Sequence, residues 1–352
     1  MKLLASAPGR ICLFGEHMDW VRHAVIPAAI ELRIFLMIEP IDGTIIAESY
    51  PPFTARDIFK IDDFDPLKGG DLKYIRATVK AFLNKGYKLK GARIRLLKSN
   101  DIPVRMDALD LPAKKGLSSS AALCVATAGA LYALTNKVAE EHVSFLAEIA
   151  DIAYTAERKI LGINCGQMDQ YASAFGGLLY IDCSVEPAVP QPLALKTKLP
   201  IVIGDTQQPK DTPRILAWLG RRFQEKEPFF MEGVRGIVEV VEEAKKELMK
   251  ETVNIEKIGK LMNLNQYYLS KYLKVSGDCP ISPNNLDKLI EAALSAGALG
   301  AKLTGSGGGG AMIALCRLED INKVAKAIER VGGKAYKTRV AEKGLMISSL
   351  KT

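Results

Sequence analysis

The sequence predicts an α+β protein built from two domains. The first third carries β-branched apolar runs, and the second half carries apolar residues spaced three and four apart. Two loops rich in serine and glycine, at 116–120 and 305–310, interrupt the apolar pattern. A chain of 352 residues also suits two cores at about 150 residues each. The expected division is an N-terminal domain over 1–190 and a C-terminal domain over 191–352.

The elements follow in order. Residues 2–14 hold apolar runs bounded by Pro8-Gly9, and 24–39 and 44–48 read as further strands with β-branched content. Over 71–86, Leu72, Ile75, Val79 and Phe82 recur at helical steps, and 91–98 alternates as a strand does. The loop DLPAKKG leads into an uncharged helix over 116–135. A second helix spans about 140–160, from the acidic pair Glu140-Glu141 to a stop before Gly162. Strand signals return at 178–183 and 200–205. Between them, 184–199 contains three prolines and no clear period, so it is the expected connector. Helices are expected at 213–226, 232–250, 255–273 and 284–296. A strand–helix–strand–strand tail follows, with strands near 311–316, 334–340 and 344–349. Internal repeats and low-complexity tracts are absent from the sequence.

Composition removes several function classes. At 48% hydrophobic and 25% charged residues, the chain is neither disordered, collagen-like nor a small disulfide scaffold. No two of its six cysteines, Cys12, Cys124, Cys165, Cys183, Cys279 and Cys316, form a CxxC pair, which argues against a zinc ribbon. Dispersed thiols and an N-terminal apolar run too short for a signal sequence point to a cytoplasmic protein. The 116–135 stretch is long enough to span a bilayer, but its small and hydroxylic residues read as a buried helix. The net charge of +8 is interspersed with acids rather than gathered in a stripe, so neither a nucleic-acid partner nor a membrane is expected. A modest positive field suits a polyanionic ligand such as a nucleotide.

Three segments carry chemistry. In APGRICLFGEHMDW (7–20), Arg10, Glu16, His17 and Asp19 cluster on a strand-to-turn segment. Carboxylates there can accept hydroxyl protons from a polyhydroxy ligand, although the same cluster also reads as a charged surface turn. His23 and His142 have no partner pattern and are read as structural or surface residues. In LPAKKGLSSSAAL (111–123), Gly116 and three serines open a helix. Free N–H groups and the positive end of the helix dipole favour phosphate there, and the serines can cap the helix, bind phosphate or ligate Mg²⁺. The spacing is not that of a Walker A loop. In KLTGSGGGGAMIAL (302–315), five of the six residues from Gly305 to Gly310 are glycine, which lets backbone amides approach a ligand. Between the second and third segments, 156–177 contains Glu157 and Asp169. Small and apolar neighbours would partly bury Asp169, and a buried carboxylate is usually paired.

Taken in order, these segments resemble the three motifs of the GHMP kinases, which include galactokinase, homoserine kinase, mevalonate kinase and phosphomevalonate kinase. The resemblance covers essentially the whole chain, including the helical MNLNQYYL before the third motif. GEHMDW and CGQMDQ are similar to galactokinase segments, whereas KLTGSGGGG is closer to the mevalonate kinase form. The resemblance implies the GHMP kinase fold. Its N-terminal domain is like the second domain of ribosomal protein S5, its C-terminal domain is helical and ferredoxin-like, and the active site lies between them. It also implies a kinase using ATP and Mg²⁺ on a small molecule, foremost the anomeric hydroxyl of a hexose or related sugar. The alternatives are a mevalonate-type kinase acting on an acyclic hydroxy acid and a catalytically silent sugar and ATP sensor.

Carried over by position, the resemblance implies that Asp169 accepts or orients the proton of the attacking hydroxyl. Arg10 would lie beside it and stabilise charge on the transferring phosphoryl group. Ser120 and Glu157 would hold Mg²⁺. The backbone of Lys115, Gly116, Leu117, Ser118, Ser119 and Ser120 would cradle phosphates, and Gly307 and Gly308 would approach the phosphoryl group. Glu16, His17, Asp19 and Gly166 would bind the sugar. Trp218 stacks on a sugar face or sits in the core, and Lys210 and Arg214 meet phosphate, an acidic substrate or solvent. The sequence does not set the oligomeric state.

Overall fold

The computed structural model describes residues 2–50, 54–102, 109–113, 115–136, 143–275 and 285–350. Lys114, Cys279, His142, the expected helix start at Glu140-Glu141 and the first residue of the helix expected at 284 lie outside them.

The N-terminal layer is built on a long antiparallel pair, β1 (Lys2–Phe14) and β2 (Ile26–Pro40). Nearly every residue of β1 is buried, which explains its continuous apolar run. The strand runs straight through Pro8-Gly9 instead of stopping there. Its register against β2 shifts between Pro8 and Arg10, and that bulge accommodates the residue without an N–H. Next come β3 (Thr44–Ser49), β4 (Ala55–Lys60), α1 (Lys73–Asn84), β5 (Ala92–Leu97) and the two-residue β6 (Leu109–Asp110). Ile75, Val79 and Phe82 form the buried face of α1, as the helical spacing predicts.

Helix α2 (Ser119–Thr135) is apolar on almost every side because the first two strands and neighbouring helices surround it. Among the described residues, no helix is long and apolar enough to cross a membrane. α3 (Val143–Tyr154) continues into a π-helical turn, Thr155–Ile160, and α4 (Met168–Phe175) follows. β7 (Leu178–Asp182) and β8 (Val189–Leu193) form a hairpin on the sheet. β8 falls inside the expected connector, so the division at 190/191 cuts a strand. Prolines hid it from the periodicity, and an edge strand tolerates them.

The second layer starts with β9 (Ile201–Asp205), followed by α5 (Thr212–Gln224), α6 (Pro228–Leu248), α7 (Ile255–Tyr268) and α8 (Leu286–Ser295). β10 (Gly300–Thr304), β11 (Ala311–Leu315), α9 (Ile321–Arg330) and β12 (Lys334–Thr338) complete it. The sheet order β10-β11-β9-β12, antiparallel throughout, is that of a ferredoxin-like split βαβ pair.

The last strand, β13 (Met346–Leu350), leaves this layer and pairs with β1, Lys2 opposite Leu350. The end of the expected 191–352 domain therefore belongs to the N-terminal sheet, whose main order is β13-β1-β2-β5-β3-β4. Cross-links also join β1 and its turn to the second layer. The Cys12 N–H donates to Thr304 Oγ1 at 2.9 Å, and the Gly15 N–H donates to Asn265 Oδ1 at 3.1 Å. A cleft forms where these layers meet.

Candidate active site

The cleft encloses about 450 Å³ and is walled by all three motifs. At its centre, Arg10 Nε donates to Asp169 Oδ1 at 2.7 Å, and Arg10 Nη1 donates to the Gly116 carbonyl at 3.0 Å. The β1 bulge makes this possible. Gly9 lets the strand lie against the second motif, where the Arg10 N–H donates to the Leu117 carbonyl at 3.2 Å. A Cβ on Gly9 would stand 2.6 Å from that same oxygen. Asp169 sits in the first turn of α4, and its other oxygen accepts from the Ser118 hydroxyl. Ser118 holds a left-handed backbone at φ 59 and makes no capping bond, so its hydroxyl serves the aspartate instead. The serine opening the helix is thus a partner of the carboxylate.

Glu157 comes from the π-helical turn, a feature often found at functional sites. It is 3% exposed and accepts from Gln170 Nε2 at 2.6 Å. Burial pushes its carboxyl up to about 7, against hydrogen bonds from Ser120 and Gln170. Its charge has no ion-pair partner among the described residues, and Asp169 lies near enough to raise it further. A buried anion without a counter-charge is costly, so this oxygen-rich corner fits a hard divalent cation. Among the described residues no group of three or more His, Cys, Asp or Glu could cage a metal, and Ser120 and Glu157 would supply two oxygens to an ion completed by other ligands.

At the other end, the sugar-type residues divide. Glu16 lines the cleft, but its carboxylate is 1% exposed and pairs with the fully buried Lys302. Lys302 also donates to the Leu303 carbonyl at 2.8 Å. The buried ammonium takes Oε1 and locks the motif onto β10, while Oε2 has no hydrogen-bond partner among the described residues, so one Glu16 oxygen remains for the expected contact with a hydroxyl. The pair spans 286 residues, and no local pattern reveals it. The Trp20 indole N–H donates to His17 Nδ1 at 3.2 Å, which puts the His17 proton on Nε2. The imidazole is buried in the cleft wall against the Ser306 backbone, whose carbonyl favours its protonated form. Burial lowers the imidazole to about 4, so it is neutral. Asp19 is raised to about 6, first by burial and then by Asp169. Gly166 is required for space, because a Cβ there would collide with the Asp19 carboxylate.

The phosphate loops also differ in part from expectation. Gly116, Ser118, Ser119 and Ser120 line the cleft. The expected cradle is one of backbone, and the side chains bear on it only in that Leu117 is buried and Lys115 pairs with Asp205 at 3.0 Å. In the third loop, Gly305 and Ser306 face the cleft, whereas Gly307 and Gly308 do not line it. The Gly308 N–H donates to the Val275 carbonyl at 2.8 Å, and a Cβ on Gly307 would strike the same carbonyl. These two glycines therefore serve packing.

Reading by motif missed Trp20, Asn164, Thr212, Pro213 and Leu216 as cleft residues. Thr212 and Pro213 could have been found from the helix start, since Asp211 caps α5 by accepting from the Arg214 N–H at 3.1 Å. Of Lys210, Arg214 and Trp218, Lys210 reaches the cleft, and Arg214 and Trp218 do not line it. Trp218 is half-buried beneath the Arg222 guanidinium, 5.3 Å from its ring.

Comparison with known proteins fits this geometry. Residues 73–177 match the GHMP kinases N terminal domain, 237–334 the GHMP kinases C terminal domain, and 2–40 the galactokinase galactose-binding signature. The mevalonate kinase of Pyrococcus abyssi is 32% identical, covering 99% of this chain and 98% of its own. The galactokinase of Pyrococcus furiosus is 27% identical, covering 94% of this chain and 93% of its own. In fold, Lactococcus lactis galactokinase complexed with galactose is similar at TM-score 0.77 and 23% identity, covering 98% of this chain and 95% of that one. The chain belongs to the GHMP kinase family, the ATP-using phosphotransferases with alcohol acceptors.

Proposed function

We propose that the cleft transfers the γ-phosphoryl group of ATP to a hydroxyl of a sugar-like, polyhydroxylated acceptor, with the anomeric hydroxyl of a hexose as the favoured site. One observation carries this reading. Asp169 is held between Arg10 and Ser118, within the same cavity as Asp19 and the His17 imidazole. A carboxylate and a neutral imidazole donor beside the base match an acceptor that presents several hydroxyls.

In the reaction, the acceptor oxygen bonds to the γ-phosphorus and its proton passes to the Asp169 carboxylate. The bond to the β–γ bridging oxygen breaks, and its electron pair leaves on ADP. A loose transition state of this kind needs position and charge rather than a covalent enzyme intermediate. Arg10 orients Asp169 and adds positive charge beside the transfer. The backbone at 115–120 and the Gly305–Ser306 wall hold the phosphates, and Ser120 with Glu157 holds Mg²⁺, which supplies charge neutralisation when bound.

A second reading has its own support. The relatives that match along the whole chain at about 30% identity include mevalonate kinases, which favours an acyclic hydroxy acid as acceptor. The Asp19 carboxylate opposes it, because an acidic substrate would be repelled there. A turnover assay with ATP and Mg²⁺ against hexoses, pentoses, uronic acids, inositol and mevalonate separates the two. A sugar 1-phosphate is the expected product, whereas turnover with mevalonate alone would transfer the assignment to the hydroxy acid. Asp19→Ala should raise the acceptor KM about tenfold or more, the size of a lost charged hydrogen bond, and leave the ATP KM within about twofold. In the native protein the acceptor KM should fall as pH rises through about 6, where Asp19 ionises and becomes a pure acceptor.

A further inference from the structure

A second groove shares no lining residue with the cleft and encloses about 770 Å³, room for a small organic ligand. Both chain crossings between the layers line it, through Leu195 and Lys198 before β9 and through Val340 and Lys343 before β13. Its floor is apolar, with Leu178, Leu193 and Leu199 buried. Arg33 of β2 also lines it and is 2% exposed. The Arg33 guanidinium donates to Ser6 Oγ at 3.2 Å and to the carbonyls of Ser6, Lys343 and Gly344. Those bonds occupy its donors but bring no negative charge to it. Arg33 has no ion-pair partner among the described residues. Burial lowers it to about 10 against the pull of Glu31, so it is still a cation at neutral pH. Glu31 is itself paired with Arg339 at 3.9 Å, and Lys196 is paired with Glu251. Lys198 and Lys343 stand exposed on the rim without an ion pair among the described residues, as does the acid Glu342. Three such cations against one acid leave an excess of two positive charges, the complement of a phosphate dianion.

We propose that this groove is a binding site for a phosphate monoester with an apolar body, held by Arg33, Lys198 and Lys343 and bridging the two layers. The leucine floor takes the body and the three cations take the head. The site is built before any ligand arrives. Arg33 is fixed by its carbonyl partners, and the crossing that supplies two of them is fixed in turn, since the Leu345 N–H donates to the Ala174 carbonyl at 2.9 Å. A Cβ on Gly176 would stand 2.2 Å from the Gly344 nitrogen, so the crossing lies tight against the end of α4. Pre-set donors lower the ordering cost of binding, and the two lysines on flexible stems close around the head. The proposal does not rest on the kinase reading. A soluble ester and a phosphatidate headgroup share this chemistry, and the test separates them.

The probe is hexyl phosphate, with inorganic phosphate and hexanol as its separate halves. In protein labelled with ¹³C at the methionine methyls, Met346 reports on the groove and Met168 on the cleft, assigned with Met346→Leu and Met168→Leu. At low salt, where rim charges are least screened, hexyl phosphate should move the Met346 signal saturably. Each half should act at least about tenfold more weakly, because one lacks the apolar contact and the other the charged hydrogen bonds. The double variant Lys198→Gln/Lys343→Gln alters two exposed side chains and so keeps the fold, and it should weaken hexyl phosphate about tenfold or more. Sedimentation with phosphatidate-containing vesicles then separates the sources. Capture that the double variant loses assigns the groove to the headgroup, and no capture assigns it to a soluble ester. A Met346 signal that does not move, equal affinity for inorganic phosphate, or undiminished binding by the double variant would overturn the proposal.

Discussion

Glu157 shows how the site trades stability for function. Its carboxyl stands at about 7 in the folded protein, chiefly through burial, against about 4.3 in an unfolded chain. Between those values the folded state holds the extra proton, so stability declines as pH rises from about 4 to 7 and stays low above. Glu157→Gln should therefore gain up to about 3 kcal/mol at pH 8, measured by chemical denaturation, and the gain should vanish below about pH 4. The same variant should lose its Mg²⁺ dependence together with its turnover. Unchanged stability at pH 8 would mean a counter-charge already reaches the carboxylate. At this scale the sequence was legible where function imposes a motif, as for Arg10, Asp169 and the serines. Partnerships between distant residues were hidden. The sequence does not show that Glu16 pairs with Lys302, which lies in the third motif and is buried with it.

Among the elements, the third glycine loop holds two kinds of glycine. Gly305, Gly307, Gly308, Gly309 and Gly310 all adopt positive φ, which costs other residues about 1–2 kcal/mol each. Gly307 carries an added constraint, since its Cβ would meet backbone at Val275. Gly307→Ala should cost at least about 2 kcal/mol of stability, measured by denaturation, because neither strain nor collision is easily relieved. Gly305→Ala should cost less and reduce nucleotide affinity more. Native stability in Gly307→Ala together with lost affinity would return that glycine to the cleft wall. Periodicity found the helices well because one buried face per helix is a local property, as in α1. It misjudged β1, whose bulge lets a proline sit within a strand, and β8, whose prolines masked it.

Across the whole molecule, the chain closes on itself. β13 returns to β1, and hydrogen bonds from Cys12 and Gly15 tie the first motif to β10 and α7. No periodic signal could have placed β13, since a strand's pattern names its face and not its partner. The three ordered motifs did reveal the overall architecture, because a phosphoryl-transfer site needs all of them around one cleft. That shared cleft makes the account testable in one measurement. Native protein and Asp169→Asn are each incubated with ATP, Mg²⁺ and the acceptor panel and followed by ³¹P NMR, with nucleotide affinity checked alongside. The account predicts ADP and one phosphorylated alcohol from the native protein. In the variant it predicts a rate lower by roughly 10²–10⁴-fold, the usual contribution of a positioned base, with nucleotide affinity unchanged. Turnover by Asp169→Asn near the native rate would contradict it.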